Sequence, residues 1–252
     1  MMAYTWLLAL LFLPLFPFSA AFVFVIKNIR HPWLRSALFL LWPQVGVWLL
    51  VSSGVVISEG LLYWAMSTAL LYALRALVLR DVGLWLSYIG ISCWSILWIV
   101  LSSHRPESIS LFALAFSLPL SLMALLAGEM EKRFSAAYAG LFGGLARTQP
   151  RLSTLLVFGM LAVIATPVFP GFFTLLSSVM AQMDSAPLIA FGLLAVWMLW
   201  SWSGMRLLQG LVTGPVQDSA RVIADLETVR SGLYSLLLIG LAWFGLYLAG
   251  GF

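Results

Sequence analysis

The chain has 252 residues, 63% hydrophobic and only 9% charged, with a mean hydropathy of +1.05; no soluble core could absorb so much apolar surface, so this is a polytopic membrane protein. One cysteine, Cys93, excludes an internal disulfide and a cysteine-rich metal or cluster site, and two histidines, His31 and His104, leave little for haem or a metal centre, so no cofactor is expected. The net charge of +4 is informative through its placement rather than its sum.

The N-terminal run MMAYTWLLALLFLPLFPFSAAFVFVI has no positive leading region and meets its first lysine only after the apolar stretch, which favours a retained first span over 4–26, kinked at Pro14 and Pro17. Lys27, Arg30 and Arg35 make the next loop basic. A second span is expected over 37–57, with Pro43 and Gln44 inside it, and the turn at Ser58, Glu59 and Gly60 leads to a third over 61–79. After Arg80 and Asp81 come a fourth span, 82–102, the loop HRPES, and a fifth span, 109–127.

Residues 128–151 are expected to form a basic amphipathic connector, in which Arg133, Arg147 and Arg151 bracket a glycine-rich run. The sixth span starts at Leu152 and continues to about Met180, interrupted by Pro167, Pro170 and Gly171. A proline removes an amide donor and clashes with the carbonyl four residues back, which in lipid leaves polar backbone in need of a protein or water partner. This break therefore predicts a helix packed inside a bundle or lining a wet cavity. Asp184, Ser185 and Pro187 mark the turn into a seventh span ending near Val212. GPVQDSARVIADLETVR predicts an amphipathic surface helix within 215–230, starting near Asp218, ahead of an eighth span at 231–250. The expected fold is a single all-α membrane domain, 1–252, with about eight transmembrane helices, one of them broken. Twelve tryptophans and seven tyrosines suit interfacial belts and helix packing.

Alternation of eight spans places Lys27, Arg30, Arg35, Arg80, Lys132, Arg133, Arg147, Arg151, Arg221 and Arg230 on one side and only Arg105 on the other, ten against one. The positive-inside rule then puts the connector in the cytoplasm and both termini outside. Arg75 and Arg206 lie within spans, one to two turns from the cytoplasmic end, where long side chains snorkel. No Asp, Glu, Lys or His falls near the midplane of any span, although relays of protons or cations are ordinarily built from such groups.

The order of features from Asp81 to Gly171 resembles the antiporter-like subunits of respiratory complex I, membrane-bound hydrogenases and Mrp-type antiporters. A family helix opens with a pattern like DIKRLLAYSSISH, and DVGLWLSYIGISC stands at Asp81 to Cys93 without gaps. A helix-ending glycine, here Gly128, is followed by a GGL element at Gly143, Gly144 and Leu145. A proline and a kinked helix closing in PG and an aromatic then correspond to Pro150, Pro170, Gly171 and Phe173. More loosely, VGVWLLV at 45–51 is similar to the end of the preceding family helix.

Family members are close to twice this length and contain two inverted repeats, each with a broken helix. The resemblance implies that only the second broken helix is kept here. The family's relay residues do not carry over: its lysines fall on Gly83 and near Pro43, its histidines on Cys93 and near Phe116, and an acidic residue near Ser178. The resemblance thus implies a subunit of a multi-subunit energy-coupling complex in a bacterial cytoplasmic membrane. Its expected role is a scaffold or docking piece, with 128–151 and 215–230 as faces for a cytoplasmic partner and its spans against other membrane subunits.

The alternative is an ion-translocating subunit of a complex I-like, hydrogenase-type or inorganic-carbon-uptake assembly, with a water wire past Gln44, Ser92, Ser117, Thr166 and Ser178. The commoner role of such small polar residues is close helix packing. No catalytic constellation, nucleotide loop or metal-spaced cluster is present, and the basic residues are explained by topology rather than nucleic acid.

Overall fold

The computed structural model describes residues 5–54, 57–104, 106–141, 143–214 and 223–250. In chain order the helices are α1 (Thr5–Phe12), α2 (Ser19–Asn28), α3 (Pro32–Ser53), α4 (Glu59–Ala76), α5 (Val82–Ser103), α6 (Pro106–Phe134), α7 (Leu145–Thr148), α8 (Pro150–Val163), α9 (Pro170–Met183), α10 (Pro187–Val212) and α11 (Thr228–Ala249). The starts follow local chemistry. Asp81 accepts the Leu84 amide at 2.7 Å, and prolines open α3, α8, α9 and α10, where a missing amide costs nothing.

Among the described residues five helices, α3, α5, α6, α10 and α11, are long and apolar enough to cross a membrane, which makes this a multi-pass membrane protein. Helix α5 is the axis of the bundle. Trp85, Leu86, Ile89, Trp94, Ile96 and Trp98 are all fully enclosed, as expected of a helix that is apolar around its whole circumference. It packs on α4, α6, α2 and α9, while α3 lies against α6 and α1, and α10 against α4 and α9. Helix α11 is peripheral, touching α8, α9 and α6 along one face and leaving Leu236, Ile239, Trp243 and Tyr247 exposed.

Three expectations are corrected. The first span is not a kinked helix: it is interrupted between Phe12 and Ser19, so the bundle contains two broken helices, not one. The fifth does not end at Gly128, because α6 runs on to Phe134 and the irregular connector begins at Ser135. Of the expected surface helix at 215–230, residues 215–222 lie outside the described residues, 223–227 are not helical, and 228–230 already belong to α11.

The connector is fastened rather than loose. Asp81 and Tyr138 form an antiparallel bridge, with the Val82 amide on the Ala137 carbonyl at 2.9 Å and the Ala139 amide on that of Arg80 at 2.8 Å. The Gly140 and Gly144 amides then donate to the carbonyls of Gly210 and Thr213, tying the connector to the end of α10.

Candidate functional site

The two interruptions are where polar backbone is exposed inside the bundle, so the destination of each freed group decides what they can do. At the first, Trp42 Nε1 donates to the Leu11 carbonyl at 3.2 Å, Trp98 Nε1 to that of Leu13 at 3.1 Å, and Trp64 Nε1 to that of Phe16 at 2.8 Å. Ser95 reaches the Pro14 carbonyl, the Ser19 amide takes that of Leu15, and the Phe16 amide donates to Thr68 Oγ1.

The second interruption, 164–169, is closed in the same manner. Pro167 lies within it, Pro170 is the first residue of α9 and Gly171 the second. Thr166 donates through both its amide and its hydroxyl to the Leu161 carbonyl, and Trp197 Nε1 donates to that of Ala165 at 3.0 Å. Ala165 and Val168 hold positive φ angles of 54° and 88°; for a β-branched valine this conformation is strained and must be imposed by its neighbours.

Each break is also covered by a glycine of another helix. A β-carbon on Gly46 of α3 would meet Leu13 Cγ at 2.7 Å, one on Gly204 of α10 would meet Ile164 Cγ2 at 2.5 Å, and one on Gly245 of α11 would overlap the Val168 carbonyl oxygen. The helices approach so closely that only glycine fits.

The polar residues proposed for a path fall as follows. Ser92 is buried, donates to the Ala69 carbonyl at 2.8 Å and accepts from Trp200 Nε1 at 3.0 Å. Ser117 is buried and accepts from Trp94 Nε1 at 3.3 Å. Ser178 returns its hydroxyl to the Thr174 carbonyl at 2.7 Å, and Thr166 is committed to the break. Gln44 stands apart, its Nε2 buried with no hydrogen-bond partner among the described residues.

The positions where the resemblance would put relay groups are filled by packing. Phe116 meets the Trp200 ring edge-on at 6.1 Å between centroids, Cys93 is fully enclosed, and Pro43 is buried within α3. Every Asp, Glu, Lys and His among the described residues lies within two turns of a helix end or in a loop.

Charges gather at one end of the bundle. Glu129, nearly enclosed, pairs with Arg133 at 2.7 Å, Lys132 at 3.2 Å and Arg230 at 3.5 Å, while Arg35 of α3 pairs with Glu131. Arg206 Nη2 donates to the Leu79 carbonyl at 2.8 Å, and Arg75, in the last turn of α4, is exposed. Asp225 receives the amides of Arg151 at 2.9 Å and Leu152 at 3.2 Å, so a carboxylate from the segment before α11 caps the start of α8. At the opposite end a polar cavity of about 550 Å³ is bordered by Glu59, Ser102, Ser103, Gln182 and Ser185. There Gln182 is buried and donates to Ser102 at 3.1 Å and to Ser103.

The indole donors were not singled out from the sequence as partners of the breaks. A tryptophan suits an interfacial belt as well as an internal cap, and Trp48, Trp202 and Trp243 are indeed exposed, whereas Trp85, Trp94, Trp98 and Trp200 are enclosed.

No family model matches the sequence. An uncharacterized protein of Aquifex aeolicus (strain VF5) is 26% identical over 203 residues, covering 80% of this chain and 82% of that one. Among solved structures, a chain of respiratory complex I from Thermus thermophilus superposes with a TM-score of 0.86 at 22% identity, covering 98% of this chain and 54% of its own length. A chain of the Mrp complex from Dietzia sp. DQ12-45-1b gives 0.84 at 15% identity, over 97% of this chain and 56% of its own. A chain of the membrane-bound sulfane sulfur reductase, an archaeal respiratory membrane complex, gives 0.81 at 17%, over 95% and 51%. The fold is thus shared with these chains, and this chain spans about half of their length.

Proposed function

We propose that the chain is an integral membrane subunit of an antiporter-related, multi-subunit energy-coupling assembly, serving as a scaffold or docking piece without a complete proton channel of its own. The observation that carries this reading is the closure of both broken helices by indole, hydroxyl and backbone donors. A break that conducts must offer hydrated polar groups and a residue able to hold charge at depth; here the freed carbonyls are occupied and the surrounding side chains are neutral. Assembly partners are supported by the shared fold with chains of three multi-subunit complexes. We read the chain as a shortened, divergent relative of those subunits.

Taking α4 and each interrupted pair as one crossing, with the five long helices, gives eight crossings. Both termini are then outside and the charged end is cytoplasmic, in a bacterial cytoplasmic membrane. Contacts that bring Arg35, Arg133, Arg151 and Arg230 to the same end support this sidedness. Residues 128–151 and 215–230 face the cytoplasm in this reading and would receive a soluble partner. The pulled-down complex from mild detergent identifies the neighbours. Purified chain alone in proteoliposomes is expected to show no proton or sodium flux above empty vesicles, and robust flux would remove the scaffold reading.

A second reading, ion translocation, draws on the cavity at the end opposite the charges, which gives water an entrance beside Gln182. Placing leucine at Ser178 or Thr166 would then abolish activity of the assembled complex while leaving it intact.

A further inference from the structure

We propose that the cavity between the α4–α5 corner and α10 binds the phosphate headgroup of an anionic phospholipid, held by Arg80 and Arg206. The cavity measures about 350 Å³ and is lined by Leu79, Arg80, Arg206, Gly140 and Gly210, with two cations and no carboxylate. Among the described residues neither arginine has an acidic partner. Among the described residues Arg206 spends only Nη2, on the Leu79 carbonyl, and its buried Nε has no partner. A guanidinium with donors to spare, pinned by one of them at the mouth of a cavity, is a preorganised site for a phosphate oxygen.

Depth and surroundings select a lipid over a free anion. Arg206 lies six residues before Val212, the last residue of α10, which is about 9 Å along the axis, close enough to that end for a snorkelling guanidinium to reach a headgroup. Directly along the same face of α10, at intervals of four residues, stand Trp202 and Met198, both exposed, and Leu74 of α4 and Val78, two residues beyond its end, are exposed as well. A basic cavity thus stands at the head of an apolar strip on α10, with further exposed apolar residues on and just beyond the neighbouring α4. One molecule satisfies both parts: a phosphodiester with acyl chains.

The test is native mass spectrometry of the full chain in mild detergent, titrated separately with phosphatidylglycerol, phosphatidylcholine and inorganic phosphate. Phosphatidylglycerol is expected to be retained over phosphatidylcholine. Both R80Q and R206Q are expected to weaken it about tenfold, the loss of one charge-assisted hydrogen bond. R75Q, which removes the same charge from outside the cavity, is expected to leave retention unchanged. Arg80 is exposed and its side chain makes no hydrogen bond or ion pair among the described residues, so R80Q keeps the test meaningful if R206Q fails to fold. Equal retention by R80Q and wild type, or equal retention of phosphatidylcholine, would overturn the proposal. So would displacement of the lipid by millimolar inorganic phosphate, which would mark the cavity as a soluble-anion site. None of these outcomes depends on whether the chain conducts ions.

Discussion

Trp200 of α10 donates its indole N–H to Ser92 of α5 at 3.0 Å, and the Ser92 hydroxyl donates in turn to the Ala69 carbonyl of α4 at 2.8 Å. One hydroxyl thus links three helices at the centre of the bundle. Ser92→Ala leaves the Trp200 N–H without an acceptor, and the variant should lose about 1–3 kcal/mol of stability. Adding Trp200→Phe should recover part of that loss, since both partners are then gone. A double-mutant cycle by denaturant unfolding in detergent measures the coupling, and strict additivity would show that the pair is not coupled.

Helix α11 meets the second break at Gly245, where a β-carbon has no room against the Val168 backbone. Gly245→Ala should push the helices apart and lower stability by several kcal/mol, on the order of the largest effects of overpacking. Gly240 on the same helix has nothing within 4 Å, so Gly240→Ala should be neutral or slightly stabilising. Comparing the thermal unfolding of the two variants separates steric closure from helix propensity.

Asp225 caps α8 from a segment more than seventy residues away. Asp225→Ala should cost about 1–2 kcal/mol, because two amides at the start of α8 lose their acceptor. Asp225→Asn, which keeps one acceptor oxygen, should cost less. Hydrogen exchange at Arg151 and Leu152 reads the effect locally, and unchanged protection in Asp225→Ala would contradict the cap.

His104, just past α5, packs edge-on against Phe112 at 5.1 Å. Burial lowers its pKa from the ordinary 6.5, against a smaller upward pull from its bond to the Val100 carbonyl. The folded state therefore resists protonation that the unfolded chain accepts. Its contribution to stability is present above about pH 6.5 and is lost as pH falls through the lower folded value. Unfolding between about pH 7 and pH 5 should show this loss, and His104→Asn should remove that part of the slope.

The helices were legible because apolar runs and their capping residues are local signals: Asp81 opening α5, the prolines opening α8, α9 and α10. What stayed hidden depends on distant partners. Pro14 and Pro17 resemble an ordinary kink until Trp98 and Trp64, far along the chain, supply the hydrogen bonds that let the helix break completely. Gly128 resembles a helix stop, yet it makes room for Pro32, which packs directly on it, and α6 runs on past it with the Glu129–Arg133 pair on its last turns. Asp225, placed by sequence inside the expected surface helix, instead serves the start of another helix. For the candidate site, the missing midplane charges could be read at once. The filling of those places by tryptophans could not, since indole donors are recognised only by what they face.

The Asp225 cap also bears on how the protein is made. A ribosome delivers Arg151 seventy-four residues before Asp225, so the amides that open α8 acquire this acceptor only when the segment before α11 emerges. The second broken helix is therefore clasped only after the segment before α11 has been made, and a chain truncated before that segment would carry it unclasped.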